Sequence, residues 1–145
     1  MPEAGIPSAF RRSPALPRGF VLDGLDLARS LYLLPAGLCG GERAAAAIVS
    51  GHGWPIADGP LAFTAVAVIL RDPAGGASLA LAPFAEVVAW AESESPEVCA
   101  HVSQTIQRIG RKRAPWGGVS MDAPAIMGIV NVTPDSFSDG GEAFS

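Results

Sequence analysis

The sequence predicts an α/β fold class in two parts. A small α+β module spans residues 26–113, and a strand and loop of the kind found in (β/α)8 barrels follow it. Apolar residues in the first part show both strand and helix periods. A linker with glycine and proline separates two stretches of different composition. The last stretch is a continuous apolar run that ends in a polar loop closed by glycines.

Composition and charge argue against two classes of protein, disordered chains and general nucleic-acid binders. The 145 residues carry a formal charge of −4 and are 49% hydrophobic, which is typical of a globular chain rather than a disordered one. A general nucleic-acid binder usually has a broad basic face. The basic residues cluster only at Arg108 and 111–113, after a predicted helix, where solvated charges are common. We therefore expect no nucleic-acid partner.

The sequence also gives no sign of a membrane or export segment. Arg11 and Arg12 are not followed by a continuous apolar run, because prolines interrupt that stretch. The longest apolar stretches, residues 44–57 and 59–70, are shorter than a bilayer span. We expect a cytoplasmic protein with no membrane partner.

The cysteines and histidines do not have the spacing of metal ligands. Cys39 and Cys99 are far apart and form no CxxC motif, so we interpret them as free, buried thiols in a reducing compartment. His52 lies in a glycine- and proline-containing turn and His101 in a predicted helix. We predict that both histidines are structural or face solvent.

The first half of the module has short elements. Residues 1–25 are rich in Pro, Gly, Ala and Arg without periodicity, which is typical of a flexible leader. Ser30–Leu34 is apolar and bounded by proline, so it predicts a strand. Glu42–Ser50 is alanine-rich and followed by glycine, which predicts a short helix. The preceding Gly40-Gly41 pair lacks the Lys and Ser/Thr of a phosphate-binding P-loop, so a structural role is favoured.

The second half predicts a hairpin and a helix. Leu61–Arg71 is apolar on both faces of a strand. Asp72–Gly76 has turn residues throughout, and Ser78–Ala82 returns as the partner strand. Pro83 suits the first position of a helix that extends to Ala91.

The final helix of the module has the clearest boundaries. Ser95 is a capping residue, Pro96 suits the first helical position, and Glu97 favours the positive end of the helix dipole. Gly110 ends the helix, and Arg111–Asp122 is a linker. The module thus has two or three strands and three helices. The apolar face of this last helix consists of Val98, Val102, Ile106 and Ile109.

The chemistry-bearing residues follow the apolar run Ala125–Val130, which is typical of a buried parallel strand. Asn131 at the strand end offers a carbonyl oxygen to a hard cation, and Asp135 and Asp139 add carboxylates. Oxygen ligands of this kind suit Mg²⁺ with a phosphate substrate. Composition alone favours a solvated surface loop with Asx turns over such a site. The loop also contains Ser136, Phe137, Ser138 and the glycines at 140 and 141.

The order of these residues favours a site for Mg²⁺ and a phosphate substrate over a solvated surface loop. Residues 126–141, Ile-Met-Gly-Ile-Val-Asn-Val-Thr-Pro-Asp-Ser-Phe-Ser-Asp-Gly-Gly, resemble the N-terminal signature of dihydropteroate synthases at sixteen consecutive positions. The resemblance implies that residues 114–145 are the linker and start of a truncated pterin-binding TIM (β/α)8 barrel. The preceding module resembles, more weakly, the N-terminal extension of some bacterial members.

The resemblance also implies an activity and its residues. Members of the family are transferases of folate biosynthesis that condense dihydropterin pyrophosphate with para-aminobenzoate, releasing pyrophosphate. Asn131 would bind Mg²⁺, and Asp139 and Asp135 would be the catalytic carboxylates, with Asp139 holding the metal and pyrophosphate. The resemblance assigns substrate contacts and loop shape to Thr133, Pro134, Ser136, Phe137 and Ser138.

The match covers only the start of a barrel that runs to roughly 250 residues. We therefore expect the 145 residues alone to make no dihydropteroate. Two alternatives stay open. The module is a non-catalytic interaction or dimerisation domain, with a homodimer as one form. Or the chain belongs to a methyltetrahydrofolate-binding methyltransferase barrel, against which the Thr-Pro-Asp-Ser-Phe-Ser loop at 133–138 argues.

Overall fold

A computed structural model of the chain describes residues 10–19, 24–73, 75–123 and 126–128. The chain divides into two units, Met1–Lys112 and Arg113–Ser145. The described part of the first unit combines one β-sheet with α-helices. The predicted mixed α/β class is therefore confirmed, whereas the predicted barrel strand and loop lie almost entirely outside the described residues.

The sheet of the first unit is mixed. Its described strands are β1 (Phe10–Arg12), β2 (Leu31–Gly40), β3 (Trp54–Pro55), β4 (Leu61–Arg71) and β5 (Ala77–Pro83). They lie in the order β1-β5-β4-β2, and β3 also pairs with β4. The β4–β5 pair is antiparallel, so the predicted hairpin is confirmed. Strand β1 joins β5 in parallel, and β2 forms the opposite edge.

The described helices are α1 (Leu27–Ser30), α2 (Gly41–Val49), α3 (Phe84–Ser93) and α4 (Pro96–Gly110). The prediction of two or three strands and three helices underestimated the number of elements in the described residues. The elements that it missed, β1, β3 and α1, have two to four residues and are too short to show a hydrophobic period. None of the helices in the described ranges is long and apolar enough to cross a membrane.

One face of the sheet packs against α3 and α4 and forms the core. Phe63 of β4 is fully buried, and its ring meets that of Phe84 edge to face at a centroid distance of 5.6 Å. Such edge-to-face pairs add to the energy of apolar burial. The other fully or nearly fully buried residues of this cluster include Leu31, Val66, Val68, Val87, Trp90, Val98 and Val102.

Helix α4 begins as its sequence predicted. Ser95 is the N-cap, and its hydroxyl oxygen accepts a hydrogen bond from the Val98 backbone N–H at 3.3 Å. Pro96 occupies the first turn, where its missing N–H costs nothing. Three predicted apolar positions, Val98, Val102 and Ile106, are buried in the core.

The last carbonyl groups of α4 accept hydrogen bonds from a turn that the sequence analysis did not predict. The backbone N–H groups of Ala57 and Asp58 donate to the carbonyl oxygens of Ile109 and Gly110, at 2.9 and 2.7 Å. Both turn residues have positive φ values, 53° and 55°, which cost energy for residues with a side chain. The two hydrogen bonds to otherwise unpaired helix carbonyls offset that cost.

Replacing the cap, Ser95→Ala, is expected to lower the free energy of unfolding by about 1 kcal/mol. A second hydrogen bond, between the Ser95 side chain and the Glu97 carboxylate, is the largest cause that holds the pKa of Glu97 below its ordinary value, so this pKa should rise in the variant. A carboxyl group whose pKa is lower in the folded than in the unfolded chain stabilises the fold at pH values above its unfolded-state pKa. This contribution is lost as the pH falls through the folded-state pKa. The variant's deficit should therefore shrink below about pH 4.

Urea unfolding at neutral and acidic pH, with an NMR titration of Glu97, measures both effects. Ser103→Ala, at an exposed serine in the middle of α4, is the control: it should not lower the stability, because alanine favours a helix, and it should leave the Glu97 pKa unchanged. An unchanged Glu97 pKa together with full stability in Ser95→Ala would contradict the assigned cap.

The predicted flexible leader, residues 1–25, needs correction for residues 10–19. Strand β1 pairs with β5, and the Pro17 carbonyl accepts a 2.7 Å hydrogen bond from the Trp90 indole N–H. The Gly19 backbone N–H donates to the Glu94 carboxylate at 2.9 Å. All three contacts join residues that are distant in sequence, so local composition could not predict them.

Two element boundaries also differ from the predictions. Strand β2 was predicted over Ser30–Leu34 but runs to Gly40, through Pro35. An edge strand tolerates proline because one of its sides needs no ladder hydrogen bond. Helix α3 begins at Phe84, and Pro83 is its N-cap as well as the last residue of β5.

The second unit is described only in part. Trp116 and Val119 exchange two backbone hydrogen bonds, at 3.0 and 2.9 Å, around Gly117 and Gly118. Both glycines have positive φ, as a tight two-residue turn requires. Every described side chain from residue 113 onward is exposed.

Candidate functional site

The site residues that the sequence predicts all lie outside the described residues. Of the apolar run Ala125–Val130, the structure describes only residues 126–128, which belong to no helix or strand, and Ile126 and Met127 are exposed. The residues outside the description comprise the predicted metal ligand Asn131, the carboxylates Asp135 and Asp139, and the substrate residues Thr133, Pro134, Ser136, Phe137 and Ser138.

An open pocket, which we call the α2 pocket, lies among the described residues of the module. Its volume is about 410 Å³. It lies between α2 and β2, and sequence reasoning did not anticipate it because it forms where an edge strand meets the following helix. Its lining consists of Gly37, Leu38, Cys39, Arg43, Ala46, Ala47 and Thr64.

Two glycines shape the α2 pocket. Gly37 has a φ of +61°, and a β-carbon there would lie 2.6 Å from the Thr64 hydroxyl oxygen. That hydroxyl donates to the Gly37 carbonyl at 3.0 Å, so the two strands approach closely at this point. Gly41, with a φ of +60°, begins α2 after the Gly40 N-cap. The positive φ of Gly41 supports a structural role for this glycine at the start of the helix.

The α2 pocket has little catalytic chemistry. Arg43 is its one charged lining residue, and the Thr64 hydroxyl already donates to a carbonyl. The Cys39 thiol is half-buried, and no histidine or carboxylate lines the pocket to act as its base. The pocket therefore has a cationic group at an apolar wall but lacks the nucleophile–base pair of a covalent catalyst.

His101 has a structural role and His52 faces solvent, which agrees with the prediction that each histidine is structural or faces solvent. The His101 ring nitrogen Nε2 lies 2.9 Å from the carbonyl oxygen of Leu31 and joins α4 to the start of β2. His52 is exposed, with Nδ1 3.0 Å from the Ser50 hydroxyl. Within the described ranges, no three His, Cys, Asp or Glu residues are close enough together to hold a metal ion.

The basic cluster after α4 is exposed along its length. Arg108 lies in the last turn of the helix, where a positive charge interacts favourably with the helix dipole. Arg111 follows as the C-cap, and its backbone N–H donates to the Gln107 carbonyl at 2.9 Å.

Comparison with protein-family models, with curated proteins and with solved structures gave no match to this chain.

Proposed function

We propose that this chain is part of a dihydropteroate synthase, to which it contributes an N-terminal module and the first strand and loop of the pterin-binding barrel. The observation that carries the proposal is the nearly unbroken resemblance of residues 126–141 to the family signature. A match at sixteen consecutive positions that includes Asn, Pro, Phe and two Asp residues is far more specific than a sparse glycine motif.

The donor set of the signature fits Mg²⁺. The Asn131 side chain supplies a carbonyl oxygen, and Asp135 and Asp139 supply carboxylate oxygens. Mg²⁺ prefers oxygen donors, takes few protein ligands and completes its shell with water and substrate phosphate. In this proposal Asn131 holds the ion and Asp139 orients the pyrophosphate beside it. The bound ion supplies Lewis-acid stabilisation of the negative charge on the leaving pyrophosphate.

The rest of the loop binds and encloses the substrates in this proposal. Phe137 offers an apolar face and Ser138 a hydroxyl to para-aminobenzoate, while Thr133 and Pro134 shape the loop over the pterin. The glycines at 140 and 141 allow the loop to close. Closure excludes water, which protects an electron-poor pterin from hydrolysis.

The described module has a supporting role in this proposal. Its α2 pocket lacks a general base, and its core residues are occupied with packing. We therefore assign the chemistry to the signature loop. A cytoplasmic location is part of the proposal, since the free, half-buried thiols of Cys39 and Cys99 suit a reducing compartment.

A chimera tests the proposal. Residues 126–141 replace the corresponding strand and loop of an active dihydropteroate synthase, and dihydropteroate formation is measured at saturating Mg²⁺. We expect activity within about tenfold of the parent, because a loop of the same family should preserve transition-state contacts. A chimera with the same sixteen residues in scrambled order is the control and should be inactive.

The 145-residue chain is assayed beside the chimera and should yield no product, since the barrel needs further strands. An inactive chimera that folds and binds the pterin substrate normally would overturn the proposal. Methyl transfer from methyltetrahydrofolate by a chimera in the alternative barrel would favour the methyltransferase family instead.

A further inference from the structure

The central strand β4 is apolar on both of its faces, yet the described helices α3 and α4 cover only one of them. Val66 and Val68 point into the core. Because side chains alternate along a strand, Ala67 and Ile69 point to the opposite face. A continuous apolar strand is typical of burial on both faces. The opposite face therefore has the composition of a covered surface.

The neighbouring strands extend this apolar face. In the sheet register, Ala67 pairs with Leu34 of β2 and with Leu81 of β5. Ile69 pairs in the same way with Tyr32 and Leu79. Residues in register on adjacent strands share a face. We call this surface the outer patch; it consists of Tyr32, Leu34, Ala67, Ile69, Leu79 and Leu81.

The outer patch is open to solvent at its two sides, whereas Ala67 between them is buried. The exposed fractions are 56% for Leu34 and 63% for Leu81, and Tyr32 is 37% exposed. Helix α2, which packs on β2, β3 and β4, does not bury these leucines. Scattered exposed leucines are ordinary, but leucines on adjacent strands of one face form a contiguous patch.

Only positive charge borders the outer patch on the sheet. Arg12 of β1 is in register with Leu79, and the exposed Arg71 lies over the Tyr32 ring, with its guanidinium carbon 4.9 Å from the ring centre. The strands β1, β2, β4 and β5 contain no aspartate or glutamate. Both arginines lie at the same end of the patch, so this end attracts carboxylates.

The size of the outer patch favours a narrow partner. It spans three strands, and two strand spacings make about 10 Å, which is close to the diameter of one α-helix. Six residues are far fewer than the roughly 20–30 per side of a stable protein–protein interface. A second copy of the chain would find too little area here for a stable dimer.

We propose that the outer patch docks an amphipathic helix of a partner protein, with an apolar stripe against Leu34 and Leu81 and acidic residues beside Arg12 and Arg71. Helix docking on this face reproduces the packing that α3 and α4 already make on the other face, and gives the sheet two covered sides. This inference is independent of the dihydropteroate synthase proposal.

A designed peptide tests the inference with the full chain. The probe is a fluorescein-labelled amphipathic helix of about four turns, with a leucine stripe and glutamates at one end. A peptide with lysines in place of the glutamates is its control. Binding is measured by fluorescence anisotropy, and we expect the glutamate peptide to bind at least about tenfold more tightly.

Variants of exposed residues locate the contact. Leu81→Gln should weaken binding at least about tenfold. Leu38→Gln, at a leucine with the same 63% exposure outside the outer patch, should leave it unchanged. The double variant Arg12→Glu, Arg71→Glu should reverse the preference between the two peptides. Arg43→Glu, in the α2 pocket, is the charge control.

Several outcomes would overturn the inference. Equal binding of both peptides, or no binding of either, would refute the acidic helix. Self-association of the chain that Leu81→Gln abolishes would assign the outer patch to a second copy. Binding to phosphatidylglycerol vesicles without binding to the glutamate peptide would assign it to a lipid surface.

Discussion

Phe63→Ala is expected to lower the free energy of unfolding by about 3–5 kcal/mol. Phe63 of β4 is fully buried beneath the helices, and its ring packs edge to face on Phe84. Trp54 stacks on the other side of this pair, with its ring centre 6.1 Å from that of Phe84. Alanine would therefore remove both the buried area and one aromatic contact, and rigid strand neighbours would leave a cavity.

An effect of this size is a large share of the roughly 5–15 kcal/mol that stabilises an ordinary domain. Urea unfolding followed by tryptophan fluorescence measures it. Trp116→Ala is the control, because Trp116 is 74% exposed, and its effect should stay within about 0.5 kcal/mol. A loss below about 1 kcal/mol in Phe63→Ala would show that the assigned core is wrong.

Asn131→Ala in the active chimera is expected to lower kcat/KM by about a hundredfold or more. In the proposed function Asn131 holds Mg²⁺, and loss of this ligand weakens both metal binding and the stabilisation of the leaving pyrophosphate. Raising the Mg²⁺ concentration should restore part of the activity, since mass action compensates for a weaker site. A role in folding alone would show no such rescue.

Met127→Leu is the matched control, because Met127 lies within the exchanged segment, has no assigned ligand role, and is replaced by a side chain of similar volume. Its kcat/KM and its Mg²⁺ dependence should equal those of the unchanged chimera. Product formation at several Mg²⁺ concentrations provides the comparison. Full activity of Asn131→Ala at limiting Mg²⁺ would remove Asn131 from the metal site.

The elements that sequence predicted well have local causes. Strand β4 has the predicted bounds, Leu61–Arg71, because its apolar run is bounded by turn residues on the hairpin side. Helix α4 begins after Ser95 because a cap and a proline act within one turn. Each of these signals operates over a few residues, so composition and spacing were sufficient to locate them.

The elements that sequence missed depend on distant partners. Strand β1 forms because it can pair with the free edge of β5. The segment after β1 makes hydrogen bonds with the side chains of Trp90 and Glu94. Strand β2 continues past Pro35 because β4 pairs with it as far as Gly40. No local pattern distinguishes such a segment from a loop until its partner is in place.

The signature at residues 126–141 and the outer patch differ in the same way. The order of residues 126–141 is the basis of the proposal of an enzyme family and of roles for Asn131 and Asp139, because a catalytic loop concentrates its chemistry in consecutive residues. Tertiary structure alone decided the outer patch, since Leu34, Ala67 and Leu81 become neighbours only when three strands pair in register. Chemistry confined to one loop can be recognised along the chain, whereas a surface built across strands depends on folding.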